Sequence, residues 1–200
     1  MSISTDEARA AMFDRRKVFN VPNQLSTMRL ILAIVLFWLI GQQHYLAGMY
    51  VFIVAAGTDW IDGFYARRYN QVTTVGRILD PFVDKIIICG TFIYLAAIKE
   101  SALTPAMAVI VVGRELLVTA LRSFFEQQGS DFSANLLGKL KMVLQCLAAA
   151  VSLFRLSYAT GEPVPHWQEQ LLIVSVWSAV VITVLSGVVY VVAAIRLVRR

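Results

Sequence analysis

Long apolar runs separated by short polar stretches make up most of this 200-residue chain. A helix needs about 20 apolar residues to cross the hydrocarbon layer of a bilayer. The pattern predicts six membrane-spanning helices, at residues 25–42, 46–69, 78–98, 104–127, 135–157 and 168–197. We therefore expect an all-α integral membrane protein built as one bundle.

The first 20 residues are more polar and stand apart from this bundle. Scattered apolar positions, from Ile3 to Phe13, favour a short amphipathic helix lying at the membrane interface. A frayed tail is an equally good interpretation. The predicted organisation is a cytoplasmic or interfacial arm at 1–20, followed by a membrane domain at 21–200.

The composition agrees with a membrane protein, since 58% of the residues are hydrophobic and 16% are charged. The formal charge of +5 does not indicate nucleic-acid binding, because the basic residues form no surface stripe. Most of them lie at alternate ends of the apolar runs: Arg9, Arg15, Arg16, Lys17, Arg67, Arg68, Arg77, Lys139, Lys141, Arg196, Arg199 and Arg200. The positive-inside rule then predicts that both termini face the cytoplasm. The expected location is a bacterial inner membrane.

Four carboxylates interrupt the second and third apolar runs: Asp59 and Asp62, then Asp80 and Asp84. On helices, spacings of three and four residues place the members of each pair on one face. A charged side chain at mid-membrane costs about 2.5–3.5 kcal/mol, and four acids in one place repel one another. Two divalent cations with oxygen ligands would balance this charge and could handle a phosphate group.

A structural interpretation of these acids is also open. Asp80 precedes Pro81 and could cap its helix. The pair on the second run could form ion pairs with Arg67, Arg68 or Lys85. This interpretation gives no reason for Asp84, which lies inside the third helix.

The full pattern is Asp59-x2-Asp62-Gly63-x2-Ala66-Arg67-x8-Gly76-x3-Asp80-x3-Asp84. It resembles the motif of the CDP-alcohol phosphotransferase family at every fixed position, over a resemblance that extends from about residue 20 to 145. The resemblance implies a homodimer that displaces CMP from a CDP-linked lipid with an alcohol. It also implies Mg2+ or Mn2+, as two ions, held by Asp59, Asp62, Asp80 and Asp84, with Asp84 as general base. The CDP-lipid would lie against Gly63, Ala66, Arg67 and Gly76, with Thr73 near a phosphate.

The segment from Asn20 to Arg29 resembles the opening of the phosphatidylglycerophosphate synthases, a branch of this family. Asn23 and Arg29 are predicted to face the cytoplasmic edge and to help bind the CDP-lipid. Alternatively, Asn23 is a helix cap and Arg29 an anchor that reaches the interface.

The basic residues of the later helices indicate which alcohol is used. Arg114, Arg122 and Lys139 are predicted to converge on a dianionic group, as a phosphorylated alcohol would require. Glu115 is adjacent to Arg114, and neighbours on a helix do not face each other, so we expect another buried partner for Arg114. A structural alternative is that Arg122, Lys139 and Lys141 only mark the cytoplasmic rim.

The Arg-Glu pair, the later Leu-Arg and the Gly-Lys-x-Lys element also resemble the synthase branch. The resemblance implies CDP-diacylglycerol and glycerol 3-phosphate as the two substrates. Other acceptors, namely inositol phosphate, serine or phosphatidylglycerol, stay open. So does a protein of another class, a cation carrier with carboxylates inside the membrane.

Overall fold

The computed structural model describes the backbone of residues 21–69, 74–127, 136–158 and 165–198. Within these ranges it describes the side chains except those of residues 21–26, 59–81, 84, 126–127, 136 and 198. The predicted interfacial arm at 1–20 lies outside the described residues.

Six α-helices follow one another along the described chain. They are α1 Val21–Gly41, α2 Tyr45–Tyr69, α3 Thr74–Ala96, α4 Pro105–Gln127, α5 Leu136–Ser157 and α6 His166–Val198, with a 3₁₀ turn at Lys99–Ser101 between α3 and α4. The all-α prediction is confirmed. The main differences are that α1 begins at Val21 rather than at 25 and α3 at Thr74 rather than at 78, because an apolar run does not include the polar first turn of its helix.

Two of the described helices contain stretches long and apolar enough to cross a membrane, Leu137–Ser157 and His166–Leu197. The apolar stretches of the first three helices are shorter: Thr27–Gly41, Tyr45–Thr58 and Lys85–Ala96. Large apolar side chains also cover the outside of the bundle, such as Val109 on α4 and Val174 on α6, which are 70% and 65% exposed. An outer surface of this kind is suited to lipid rather than to water.

The core of the bundle lies where α1, α2, α3 and α5 meet, and α6 packs along α5 and α4. Small side chains such as Ala33, Ala55 and Ala148 are fully buried there, so the helices approach closely. Buried polar side chains are concentrated instead between α4, α5 and α6.

Candidate active site

The aspartates lie on the two helices that are joined by residues 70–73. Asp62 and Asp80 are about 10 Å and about 9 Å along their helices from this connection, at 1.5 Å per residue. Asp59 and Asp84 are each about 15 Å from it on the same measure. Because so short a connection makes α2 and α3 antiparallel neighbours, Asp62 lies level with Asp80 along the bundle, and Asp59 lies level with Asp84.

The type and number of ligand atoms at these positions fit a hard divalent cation. Each helix offers two carboxylates, and oxygen ligands of this kind suit Mg2+ or Mn2+. Among the side chains that the structure describes, no three His, Cys, Asp or Glu residues form another metal-binding group. The four aspartate side chains lie outside that description, so metal binding by Asp59, Asp62, Asp80 and Asp84 stays a prediction.

Most of the predicted CDP-lipid contacts also lie outside the described side chains. Thr73 lies between the described helices, and the backbone places the others on α1, α2 and α3: Asn23, Gly63, Ala66, Arg67 and Gly76. Their roles stay predictions.

A small cavity lies about one helical turn deeper in the bundle than the aspartates. It measures about 40 Å3 and is lined by Arg29, Ala55, Ala56, Ile87, Ile88, Met142 and Cys146. Arg29 is only 3% exposed, so the alternative in which this side chain is an anchor at the lipid interface is wrong. The side chain turns inward and places a positive charge beside the helices that carry the aspartates.

A second group of charges joins α4 and α5. Arg114, Glu115 and Lys141 are 9%, 8% and 8% exposed. Arg114 donates a hydrogen bond from Nη1 to Oε1 of Glu115 at 3.0 Å, and Lys141 donates from Nζ to the same oxygen. One carboxylate oxygen therefore holds two cations from different helices.

One expectation about these residues is wrong, and one structural alternative is excluded for Lys141. Arg114 does bond to its neighbour Glu115, because the rule for adjacent helix residues concerns the directions of their Cβ atoms. Both side chains are long enough to bend into the same buried space and meet at their ends. Lys141 does not mark the rim, because it is buried and paired.

Helix α6 completes this network, although its sequence alone predicts no functional role for it. Ser186 Oγ accepts a hydrogen bond from Arg114 Nη2 at 2.5 Å, and Tyr190 Oη accepts one from Arg122 Nη2 at 2.5 Å. The guanidinium carbons of Arg114 and Arg122 lie 5.5 Å and 5.2 Å from the centre of the Tyr190 ring. The signal in the sequence was a polar stripe, Thr183, Ser186 and Tyr190, on one face of a very apolar helix.

The network continues from α5 to α6 through Gln145, which is fully buried. Its Nε2 donates to Thr183 Oγ1 at 2.9 Å, and Lys141 donates to its Oε1 at 3.4 Å. Lys139, by contrast, is exposed at the start of α5, and no described contact joins it to these residues. The structure thus brings Arg114 and Arg122 together with Lys141, and the predicted role of Lys139 remains untested.

The charge of this network suits an anionic ligand. Among the described residues of this network there are three cations and one carboxylate: Arg114 and Lys141 bind Glu115, and Arg122 joins them through Tyr190. The Nε atoms of both arginines are buried and make no hydrogen bond within the described part of the chain. Buried donors of this kind are normally satisfied, and a phosphate group offers the matching acceptors.

The network lies near the aspartates along α3. Met142, the residue after Lys141 on α5, lines the same cavity as Ile87 and Ile88 of α3. Ile87 follows Asp84 by three residues, which is about 4.5 Å of helix. An anion bound to the network would therefore lie close to the part of α3 that carries the acids.

Comparison with known proteins identifies the class to which this arrangement belongs. Residues 19–185 match the family model described as CDP-alcohol phosphatidyltransferase. The chain belongs to this family of transferases.

Three bacterial relatives carry a more specific name. A Bacillus subtilis (strain 168) protein is 34% identical over 187 residues, covering 85% of this chain and 92% of the relative. A Shigella flexneri (serotype 5b, strain 8401) protein is 33% identical over 181 residues, covering 88% and 95%. An Escherichia coli (strain K12) protein is 34% identical over 142 residues, covering 68% and 78%. All three are named CDP-diacylglycerol–glycerol-3-phosphate 3-phosphatidyltransferase.

Proposed function

We propose that this protein transfers the phosphatidyl group of CDP-diacylglycerol to glycerol 3-phosphate, giving phosphatidylglycerophosphate and CMP. The observation that carries the proposal is the buried cationic network of Arg114, Arg122 and Lys141. A phosphate dianion on the acceptor alcohol would satisfy its charge and its unused donors. A neutral alcohol would leave both unsatisfied. The names of the relatives support the same acceptor.

The donor lipid would bind on the aspartate side of the bundle. Its nucleotide and pyrophosphate would lie against the backbone near Gly63, Ala66 and Gly76, with Asn23, Arg67 and Thr73 supplying polar contacts. Arg29, buried beside the small cavity, adds a positive charge on this side. A divalent ion held by Asp59, Asp62, Asp80 and Asp84 would neutralise the pyrophosphate and the charge that develops as CMP leaves.

Side chains of the protein bind the acceptor and remove its proton. Arg114, Arg122 and Lys141 hold the phosphate of glycerol 3-phosphate, with Lys139, exposed at the start of α5, as a further cation for it. The acceptor's 1-hydroxyl then points toward α3, where Asp84 takes its proton. The hydroxyl oxygen forms a bond to the lipid-side phosphorus as the bond from that phosphorus to the CMP oxygen breaks. No covalent enzyme intermediate is needed.

The proposed setting is a bacterial inner membrane, crossed by all six helices, with both termini and the active site on the cytoplasmic side. Its support is that every helix carries large exposed apolar side chains, among them Ile34, Val54, Ile93, Leu116, Val143 and Val188. We also propose a homodimer. A reporter protein fused after residue 200 should be found on the cytoplasmic side of the membrane. Cross-linking of the protein in membranes should give a dimer.

An assay of CMP release tests the function. Purified protein is mixed with CDP-diacylglycerol and Mg2+ or Mn2+, and the acceptors are glycerol 3-phosphate, glycerol, serine, inositol phosphate and phosphatidylglycerol. Release is expected only with glycerol 3-phosphate, and chelation of the metal should abolish it. A preference for a phosphate-free acceptor would refute the proposed substrate.

The assignment of the base is tested separately. Asp84→Asn should lower kcat by at least about 100-fold, because an amide cannot accept the proton. Glu169→Gln is the control, since Glu169 is an exposed acid in the first turn of α6. Normal turnover by the Asp84 variant would show that another group is the base.

A further inference from the structure

Glu115 is the one acid among the described residues of the cationic network, and both of its described side-chain bonds use a single oxygen. Lysine and arginine side chains are flexible, and two cations side by side repel each other. A shared carboxylate removes this repulsion and fixes the ends of Arg114 and Lys141 relative to each other. These two side chains come from different helices, so Glu115 also fixes the spacing of α4 and α5 at this depth.

Gln145 holds Lys141 from a second direction. Its amide oxygen accepts from Lys141, while its amide nitrogen is anchored to Thr183 on α6. Thr183 in turn donates to the Ala179 carbonyl at 2.6 Å, so its hydroxyl is fixed in one orientation. The lysine amine is thus held between a carboxylate and an amide that are both supported by the bundle.

We propose that Glu115 and Gln145 are positioning residues for the acceptor, which hold Arg114 and Lys141 in their phosphate-binding arrangement before the substrate arrives. Neither residue needs to touch the substrate. The benefit is that little side-chain freedom is lost when the phosphate binds, which strengthens binding without any new contact. The inference rests on the proposed function and concerns the same pocket.

Two variants test it in the CMP-release assay. Glu115→Gln keeps the shape of the side chain but loses its charge, and should raise the KM for glycerol 3-phosphate by about tenfold or more. Thr183→Val removes the anchor of Gln145 and should raise the same KM by about threefold. In both, the KM for CDP-diacylglycerol and the kcat should stay within about twofold of the original protein.

Thr91→Val is the matched control. Thr91 is also fully buried and also donates to the carbonyl four residues earlier, Ile87, at 2.6 Å. It lies on α3 and makes no described bond to another helix. Its substitution removes a buried hydroxyl of the same kind and should leave the KM for glycerol 3-phosphate unchanged.

Three outcomes would overturn the inference. Equal effects of Thr183→Val and Thr91→Val on the acceptor KM would show a general packing effect. A loss of thermal stability in both test variants with no change in that KM would show a purely structural role. A fall in the acceptor KM of Glu115→Gln would show that this acid competes with the substrate. If the unaltered protein releases no CMP with glycerol 3-phosphate, the proposed function fails instead. If Glu115→Gln does not fold, Thr183→Val still tests the positioning role through the acceptor KM.

Discussion

Replacing Lys141 with methionine separates the role of this residue in binding from its role in folding. The amine is lost, but the new side chain is of similar length and can fill the same space. Glu115 keeps its bond to Arg114, which leaves one positive and one negative charge in contact. Replacing Glu115 with methionine has the opposite result, because two buried cations then face each other without an acid.

The two variants should therefore differ in stability, with the Glu115 variant the less stable of the two. Breaking a buried ion pair by removing one partner costs about 3–5 kcal/mol. The Glu115 variant should lose about that much free energy of unfolding, and the Lys141 variant clearly less. A charge-assisted hydrogen bond to the acceptor contributes about 1.5–3 kcal/mol, so Lys141→Met should raise the KM for glycerol 3-phosphate about 10- to 150-fold.

Both quantities can be measured on detergent-solubilised protein. Thermal unfolding ranks the stabilities, and CMP release at varied glycerol 3-phosphate gives the KM. Lys99→Met is the control, since Lys99 is exposed in the 3₁₀ turn at the other end of α3. An unchanged acceptor KM in Lys141→Met would show that the network does not bind the acceptor. A larger loss of stability in Lys141→Met than in Glu115→Met would refute the charge argument.

Three glycine substitutions test the packing. Gly90→Ala should destabilise the protein by about 1–3 kcal/mol in thermal unfolding, because a Cβ there would lie 2.8 and 3.0 Å from carbons of the Phe37 ring. Gly113→Ala should stabilise it by about 0.5–1 kcal/mol, because a Cβ there has nothing within 4 Å; a loss of stability would contradict this. Gly187→Ala places a Cβ 3.2 Å from Arg114 Cγ and should raise the KM for glycerol 3-phosphate about 2- to 10-fold. An unchanged KM would show that Arg114 can move without loss of binding.

The positions of the helices could be predicted from the sequence because long apolar runs separated by short polar stretches indicate helices. The polar network could not. Lys141 has the same sequence context as an interfacial lysine, and only the structure, in which α5 packs against α6 and its amine meets Glu115 of α4, shows that it is buried. The pairing of Arg114 with Glu115 depends on side-chain rotamers, which a spacing rule does not contain. Helix α6 is so apolar that Ser186 and Tyr190 gave a weak signal, although their spacing was regular.

The arrangement of charges also explains why the network needs its own acid. If the aspartates of α2 and α3 bind divalent ions, any mobile cation nearby would compete for the same carboxylates. Lys141 lies close enough to α3 for this, since its neighbour Met142 lines a cavity together with Ile87 and Ile88, about one helical turn from Asp84. Glu115 holds Lys141 and Arg114 within the network, with the help of Ser186 on α6. Two sites of opposite charge can then exist within one small bundle, one for the metal-bound pyrophosphate and one for the acceptor's phosphate.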